Sequence, residues 1–263
     1  MTKARYSEEN ASKAITYREY VESEGHYYGE SGDCMYTYTE DGKEIKIIGF
    51  RMDAKKIKIP NKIEEKKVTE VALEAVYSYA TSYSDYHVDE IEAVSIDLPE
   101  NVKTLSGNFV EDVVSLKNFK KYTVSSKNKY FKAEDGVLFT KDGKTLLSFP
   151  HRKKRSSYTV PKGTKTIGKK AFMNTIAVQK VSMPDTVKTI DSQAFYSCDA
   201  TFISLPKKLK KLGRAAFVFC NISEVTIPGT VKTIPTDCFS SCSRLKKVTV
   251  REGVKNIGGC AFA

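Results

Sequence analysis

The sequence predicts an α/β repeat protein: a right-handed solenoid of short parallel β-strands and short helical turns, with a helix capping its N-terminal end. Three observations lead there. The phrase "VTIPGTVKTIPTDCF" (225–239) returns 22 residues upstream as "ISLPKKLKKLGRAAF" (203–217), and 22 further upstream as "VSMPDTVKTIDSQAF" (181–195). Each copy alternates apolar and polar residues before a Pro and closes on a small residue followed by Phe. Mean hydropathy is −0.39, and no stretch approaches the roughly 18 apolar residues that a membrane helix needs. A fixed period in the 20s buries apolar surface by stacking, because one unit cannot cover its own apolar face.

In chain order, residues 1–35 are the predicted helical cap and 36–263 the solenoid. Within 7–24, Ser7 is a candidate N-cap, Glu8 and Glu9 suit the first turn, and Ala11, Ala14, Ile15, Tyr17 and Val21 recur at helical spacing. No secretory leader precedes this helix, so the chain is expected either to remain in the cell or to have lost a leader. The first unit, "IKIPNKIEEKKVTEVALEAV" (57–76), carries five extra residues between its Pro and its second apolar cluster. An insertion at 77–92 follows, then a looser copy, "IDLPENVKTLSGNFV" (96–110). A second insertion at 120–157 holds Asp135-Gly136 and Asp142-Gly143, both hairpin-turn signals. "YTVPKGTKTIGKKAF" (158–172), the three central copies and "VTVREGVKNIGGCAF" (248–262) complete seven units. The chain stops at "GGCAFA" without a polar cap, an end expected to be covered by further chain or by a partner.

Within a unit, Val181 and Met183, Ile203 and Leu205, Val225 and Ile227, and Val248 and Val250 flank a polar residue. That is a short strand with one buried face. Three and six residues after the Pro position a second inward pair follows, such as Val187 and Ile190 or Val231 and Ile234. The closing Ala-Phe step (Ala171-Phe172, Ala194-Phe195, Ala216-Phe217, Ala261-Phe262) lets backbones approach while the ring fills the space between coils; a short helical turn is expected there. The Pro marks where strand pairing stops.

The pattern P-x-x-[VL]-x-x-[IL]-x-x-x-[AC]-F, with a Cys three residues beyond the Phe, resembles the BspA-type leucine-rich repeats of bacterial surface proteins. Two other stretches fit the resemblance. Residues 128–161 look like the family's inserted hairpin, and "YTYTEDGKEIKIIGF" (36–50) looks like its N-terminal strand pair. Ala75-Val76, Phe109-Val110 and Cys238-Phe239 depart from Ala-Phe, which predicts less regular early units. The resemblance implies a surface-displayed or secreted binding module, often adhesive, without catalytic chemistry or cofactor.

Charge narrows the binding reading. Residues 1–142 hold 26 acids against 21 Lys and Arg, and 143–263 hold 6 against 22, a net −5 against +16. Four residues after the Pro position stand Lys103, Lys165, Lys188, Lys210, Lys232 and Lys255, with Thr69 in the corresponding place of the first unit. Such a row suits a linear polyanion, for example an acidic glycan or an acidic protein segment. Aromatic platforms are not interleaved with it, which argues against nucleic acid. Tyr77, Tyr79, Tyr83 and Tyr86 crowd the 77–92 insertion, and Tyr79 and Tyr83 form a second candidate contact surface.

Other constellations point to packing. Cys198, Cys220 and Cys242 share one repeat position and read as a buried column; no zinc set completes Cys238 and Cys242. His26, His87 and His151 stand in unrelated contexts, and no nucleophile elbow, phosphate loop or paired-carboxylate motif occurs. These constellations give no catalytic chemistry, and the resemblance implies a module on the cell surface or secreted, adhesin-like, with a cytoplasmic location left open; it is expected to be monomeric or weakly self-associating and not membrane-inserted. Its ligand would be a host or surface protein or an acidic glycan, met through a basic patch. The alternative is a structural spacer or protein-interaction scaffold, with an intracellular scaffold as the weaker variant.

Overall fold

The computed structural model describes residues 28–31, 34–39, 42–50, 56–72, 93–106, 109–114, 116 and 118–263. The period-two alternation produces a row of parallel strands. Lys56–Lys58, Ser95–Leu98 and Lys121–Val124 form one sheet, Arg155–Thr159, Val178–Ser182 and Phe202–Ser204 a second, and Glu224–Ile227 with Lys247–Val250 a third. Registers stack like on like: Tyr158 on Val181 on Ile203, and Val225 on Val248. The second inward pair makes a parallel row of two-residue strands. Thr166–Ile167, Thr189–Ile190 and Lys211–Leu212 stack in sequence, and Thr233–Ile234 pairs with Asn256–Ile257.

Three expectations need correction. The long row holds eight strands rather than seven, because Lys121–Val124, assigned from sequence to the 120–157 insertion, pairs in parallel with Ser95–Leu98. No Pro follows it, so the phrase is disguised. The expected hairpin is narrower, Phe131–Glu134 with Val137–Thr140, and continues into Thr145–Ser148, which joins the short row beside Thr166–Ile167. A Cβ on Gly136 at its tip would come within 2.8 Å of Lys121 Cβ, so the turn needs glycine there.

The second correction concerns the Ala-Phe corners, expected as helical turns. Among the described residues the only α-helix is Phe109–Val114. In the regular corners alternate amides point in different directions. Ala171 N, Met173 N and Thr175 N donate within their own turn, to Gly168, Lys170 and Phe172 carbonyls. Lys170 N, Phe172 N and Asn174 N donate to Ser192, Ala194 and Tyr196 carbonyls of the next coil, at 3.2, 2.7 and 2.9 Å. An α-helix would keep all of these amides for itself. Left-handed backbone achieves the alternation: Lys170 and Asn174, Gln193 and Ser197, Ala215 and Phe219, and Asp237 and Ser241 all have φ between 51° and 59°.

The N-terminal strand pair is present, Cys34–Tyr38 antiparallel to Ile45–Phe50, and the latter runs parallel to Lys66–Val71. Tyr28–Ser31 adds a further antiparallel strand, so residues 28–31 and 34–35 are strand rather than part of a helical cap. The helix predicted over 7–24 lies outside the described residues.

Two apolar cores result, divided at the hairpin. Leu138 packs with the front core, and its neighbours Val137 and Phe139 pack with the rear one, as strand pleating requires. A file of rings runs through the rear core. Phe149, Phe172, Phe195, Phe217, Phe239 and Phe262 stack with centroids 4.8 to 5.4 Å apart. Asn128 plugs the hairpin base, donating to Pro99 and Val102 carbonyls and accepting from Tyr130 and Phe131 amides.

Truncating the middle of the ring file, Phe195→Ala, removes a fully buried side chain stacked on both sides and is expected to cost about 3–5 kcal/mol, measured by denaturant unfolding. His151 gives a pH test. It is buried beside Phe119, ring centroids 6.4 Å apart. Burial first, then the Arg152 charge, push it down to about 4 against an ordinary 6.5, while a hydrogen bond to Leu116 backbone opposes them. The unfolded chain therefore binds the extra proton between pH 6.5 and about 4. Stability falls as pH falls through that window, by on the order of 3 kcal/mol in full. His151→Asn is expected to flatten this slope in unfolding curves recorded across it.

Candidate binding surface

The lysine row emerges from the same coil-to-coil bonding that builds the corners. Lys188 N donates to Lys165 O at 2.8 Å, Lys210 N to Lys188 O at 2.9 Å, and Lys255 N to Lys232 O at 2.9 Å. These residues are therefore register mates one coil apart, about 4.8 Å along the stack. Lys165, Lys210, Lys232 and Lys255 are exposed and Lys188 is half-buried. Among the described residues, none of these five meets a carboxylate in an ion pair. Lys188 Nζ instead donates to Asp185 O (2.6 Å), and Lys232 Nζ to Gly229 O (3.1 Å) and Gly253 O (3.2 Å).

Lys103 departs from the row. It belongs to the front half and pairs with Glu44 at 2.7 Å, so its charge is locally met. Thr69, the corresponding residue of the first unit, is buried and donates to the same Glu44 carboxylate. Lys46 pairs with Glu70, Lys56 with Asp97 and Lys103 with Glu44 in the front half, and Lys144, Lys153, Arg155 and Lys170 around the hairpin also meet carboxylates; among the described residues beyond 170 the ion pair is Arg214 with Asp237. Tyr79 and Tyr83 lie outside the described residues.

The cysteine column is buried at Cys198 and Cys220 and half-buried at Cys242, whose Sγ lies 2.9 Å from Phe217 O. A hydrogen bond with Cys198, then burial, push the Cys220 thiol well up, and burial raises Cys242 to about 11. Thiolate, the reactive form, is thereby suppressed. His151 is a buried packing residue, and no cluster of three His, Cys, Asp or Glu suited to a metal occurs among the described residues. No helix among them is long and apolar enough to cross a membrane.

Sequence reasoning passed over one part of the surface. Phe202, outward-facing and 38% exposed, sits where its register mate is Lys180, whose Nζ lies 5.1 Å from the ring centroid. The signal was there in the register: an aromatic at a position where neighbouring coils carry Ser157, Lys180, Glu224 and Lys247.

Comparison with known proteins fits this geometry. Residues 159–263 match the family described as "BspA type Leucine rich repeat region", in six copies. A leucine-rich repeat protein from Eubacterium ventriosum is 16% identical, with a TM-score of 0.55 over 89% of this chain and 93% of that one. That likeness shows the fold. A leucine-rich cell surface protein from Faecalibacterium prausnitzii (17% identical, TM-score 0.44, 88% of this chain and 72% of that one) is also similar. So is the pneumococcal vaccine antigen PcpA (16%, TM-score 0.43, 88% of each chain). No curated protein matches the sequence.

The burial pattern predicts an order of thiol reactivity. With a maleimide under native conditions, exposed Cys260 labels first, and Cys198, Cys220 and Cys238 label only when the chain unfolds, as read by peptide mass spectrometry. Native labelling of Cys198 at the rate of Cys260 would contradict the buried column.

Proposed function

We propose, from the match of residues 159–263 to the BspA-type leucine-rich repeats, that this chain is a non-enzymatic binding module of the bacterial surface or of secretions, adhesin-like, gripping an anionic macromolecule through its basic rear half. One observation carries the reading. The lysines at 165, 188, 210 and at 232, 255 are held in register by backbone bonds, with no ion-pair partner among the described residues. Neighbouring unit charges about 5 Å apart repel by roughly 0.8 kcal/mol in water. A linear anion laid along the stack relieves this repulsion and releases its own counterions. The repeat fold, whose side chains are consumed in packing, supports a role without catalysis.

A spacer or scaffold is the second reading, and the positions of two lysine heads favour it. Lys188 and Lys232 fold back onto loop carbonyls, so part of the row knits loops together rather than facing a partner. One variant separates the readings: Lys165→Thr, Lys188→Thr, Lys210→Thr and Lys232→Thr combined. Under the binding reading, retention on a heparin column and affinity for polyphosphate, both salt-sensitive in the wild type, fall about tenfold or more while the melting temperature holds. Unchanged affinity with a lowered melting temperature would instead support the spacer.

A further inference from the structure

The hydrogen-bonded sheets of the rear half are interrupted at one place in both strand rows. The long row pairs up to Phe202–Ser204 and resumes at Glu224–Ile227, and the short row pairs up to Lys211–Leu212 and resumes at Thr233–Ile234. The Ala-Phe corners of the same two coils stay bonded: Ala215 N to Thr236 O, Phe217 N to Cys238 O and Phe219 N to Ser240 O, at 2.8–3.2 Å. The stack is thus closed along the corner and parted along the strands. Thr230 Oγ1 spans the parting at the lysine side, 3.2 Å from Lys207 O and 2.5 Å from Leu209 O.

A groove of about 530 Å³ lies over this parting on the strand face. Its lining combines three kinds of group. Phe202 offers an exposed ring. Ser204, Thr226 and Thr249 set hydroxyls in the groove, with Thr226 and Thr249 register mates on adjacent strands. Lys207, Lys247 and Arg251 supply positive charge against the single carboxylate of Glu224. Between the coils of Lys207 and Arg251 the groove is lined by Gly229, where a Cβ would come within 1.7 Å of Glu252 O. No side chain can fill that hollow.

We infer that this groove binds a glycan carrying a carboxylate on every second sugar. The inference rests on the reading of the rear half as an anion-binding surface, but it names a different site and a sparser ligand than the lysine row. Lys207 and Arg251 stand two coils apart with the parting and Gly229 between them, so they are separated by at least the roughly 10 Å of two paired-strand spacings, enough to admit an uncharged sugar between two charged ones. The sugar between two uronates carries hydroxyls and no charge, and it faces Ser204, Thr226, Thr249 and the acceptor-only Glu224. The negative face of the Phe202 ring takes the C–H side of a pyranose. A chain charged on every unit is disfavoured by Glu224, which sits in the groove as a like charge. A neutral chain leaves the net positive charge of the groove, three cations against Glu224, unanswered. Concave shape, one aromatic and a few convergent polar groups are the ordinary composition of a specific small site.

The test uses the full chain and three probes: a hyaluronan octasaccharide, which has one carboxylate per disaccharide, a neutral dextran oligosaccharide, and polyphosphate. Two variants are compared by calorimetric titration, the groove variant Phe202→Ser with Arg251→Ser, and the four-lysine variant described above. Circular dichroism melting checks that each still folds. The inference predicts that the wild type binds the hyaluronan oligosaccharide and not dextran. The groove variant loses about tenfold or more, as truncating an aromatic or Arg anchor does, while the four-lysine variant loses less than about threefold. Polyphosphate is expected to show the reverse dependence. Absence of hyaluronan binding by the folded wild type overturns the groove assignment, as does a loss that follows the lysine row and leaves the groove variant unaffected. Polyphosphate binding that survives the four-lysine variant would count against the lysine row alone.

Discussion

The whole arrangement depends on where the corner amides point. Each regular coil turns at its Ala-Phe step with two residues in the left-handed region, such as Gln193 and Ser197 or Asp237 and Ser241. Left-handed backbone costs a non-glycine residue roughly 1–2 kcal/mol. Those two dihedrals turn every second N–H out of its own turn and toward the next coil, as in Phe195 N to Ala216 O at 2.7 Å and Phe217 N to Cys238 O at 2.8 Å. The three amides that each corner redirects, left buried without partners, would together cost about 3–9 kcal/mol, more than the roughly 2–4 kcal/mol of the two strained residues. The corner therefore holds its shape only while a neighbouring coil accepts the bonds, which ties each unit to the next.

That constraint sets the register for everything else. With the corners locked, Phe172, Phe195, Phe217 and Phe239 fall directly over one another, planes within 11°. The cysteines follow them into the same interior. On the outside, the same locking leaves lysines as register mates, which chemistry alone would keep apart. The surface charge pattern is thus a by-product of core geometry. The repeat fixes where an outward side chain stands but not which residue it is, so the departures from the repeat, Phe202 above all, are the informative positions.

Much of this was legible in the sequence because a solenoid writes its contacts locally. The inward pairs, the Pro stops, the N-terminal strand pair and the hairpin turns at Asp135-Gly136 and Asp142-Gly143 follow from spacing and turn chemistry. Two features were hidden for physical reasons. Lys121–Val124 forms a coil without its usual Pro, since the chain leaves it through Ser125 and the Asn128 plug instead. The corners mimic a helix in composition, and only the destination of the alternate amides distinguishes them. For the candidate surface, the lysine row could be read directly from the period. The parting between the coils of Phe202 and Glu224 could not, because both coils keep the 22-residue spacing and nothing in their length marks the break.

The measurement that bears most directly on this account is native-state amide hydrogen exchange resolved at the corners. If coil-to-coil bonding holds the molecule together, the amides of Phe172, Phe195, Phe217 and Phe239 exchange only with opening of the whole rear stack, sharing one protection free energy. Their protection then matches that of Val181 and Ile203 in the strands. Corner amides that exchange rapidly and independently, while the strand amides stay protected, would contradict it and make the strands alone the source of cohesion.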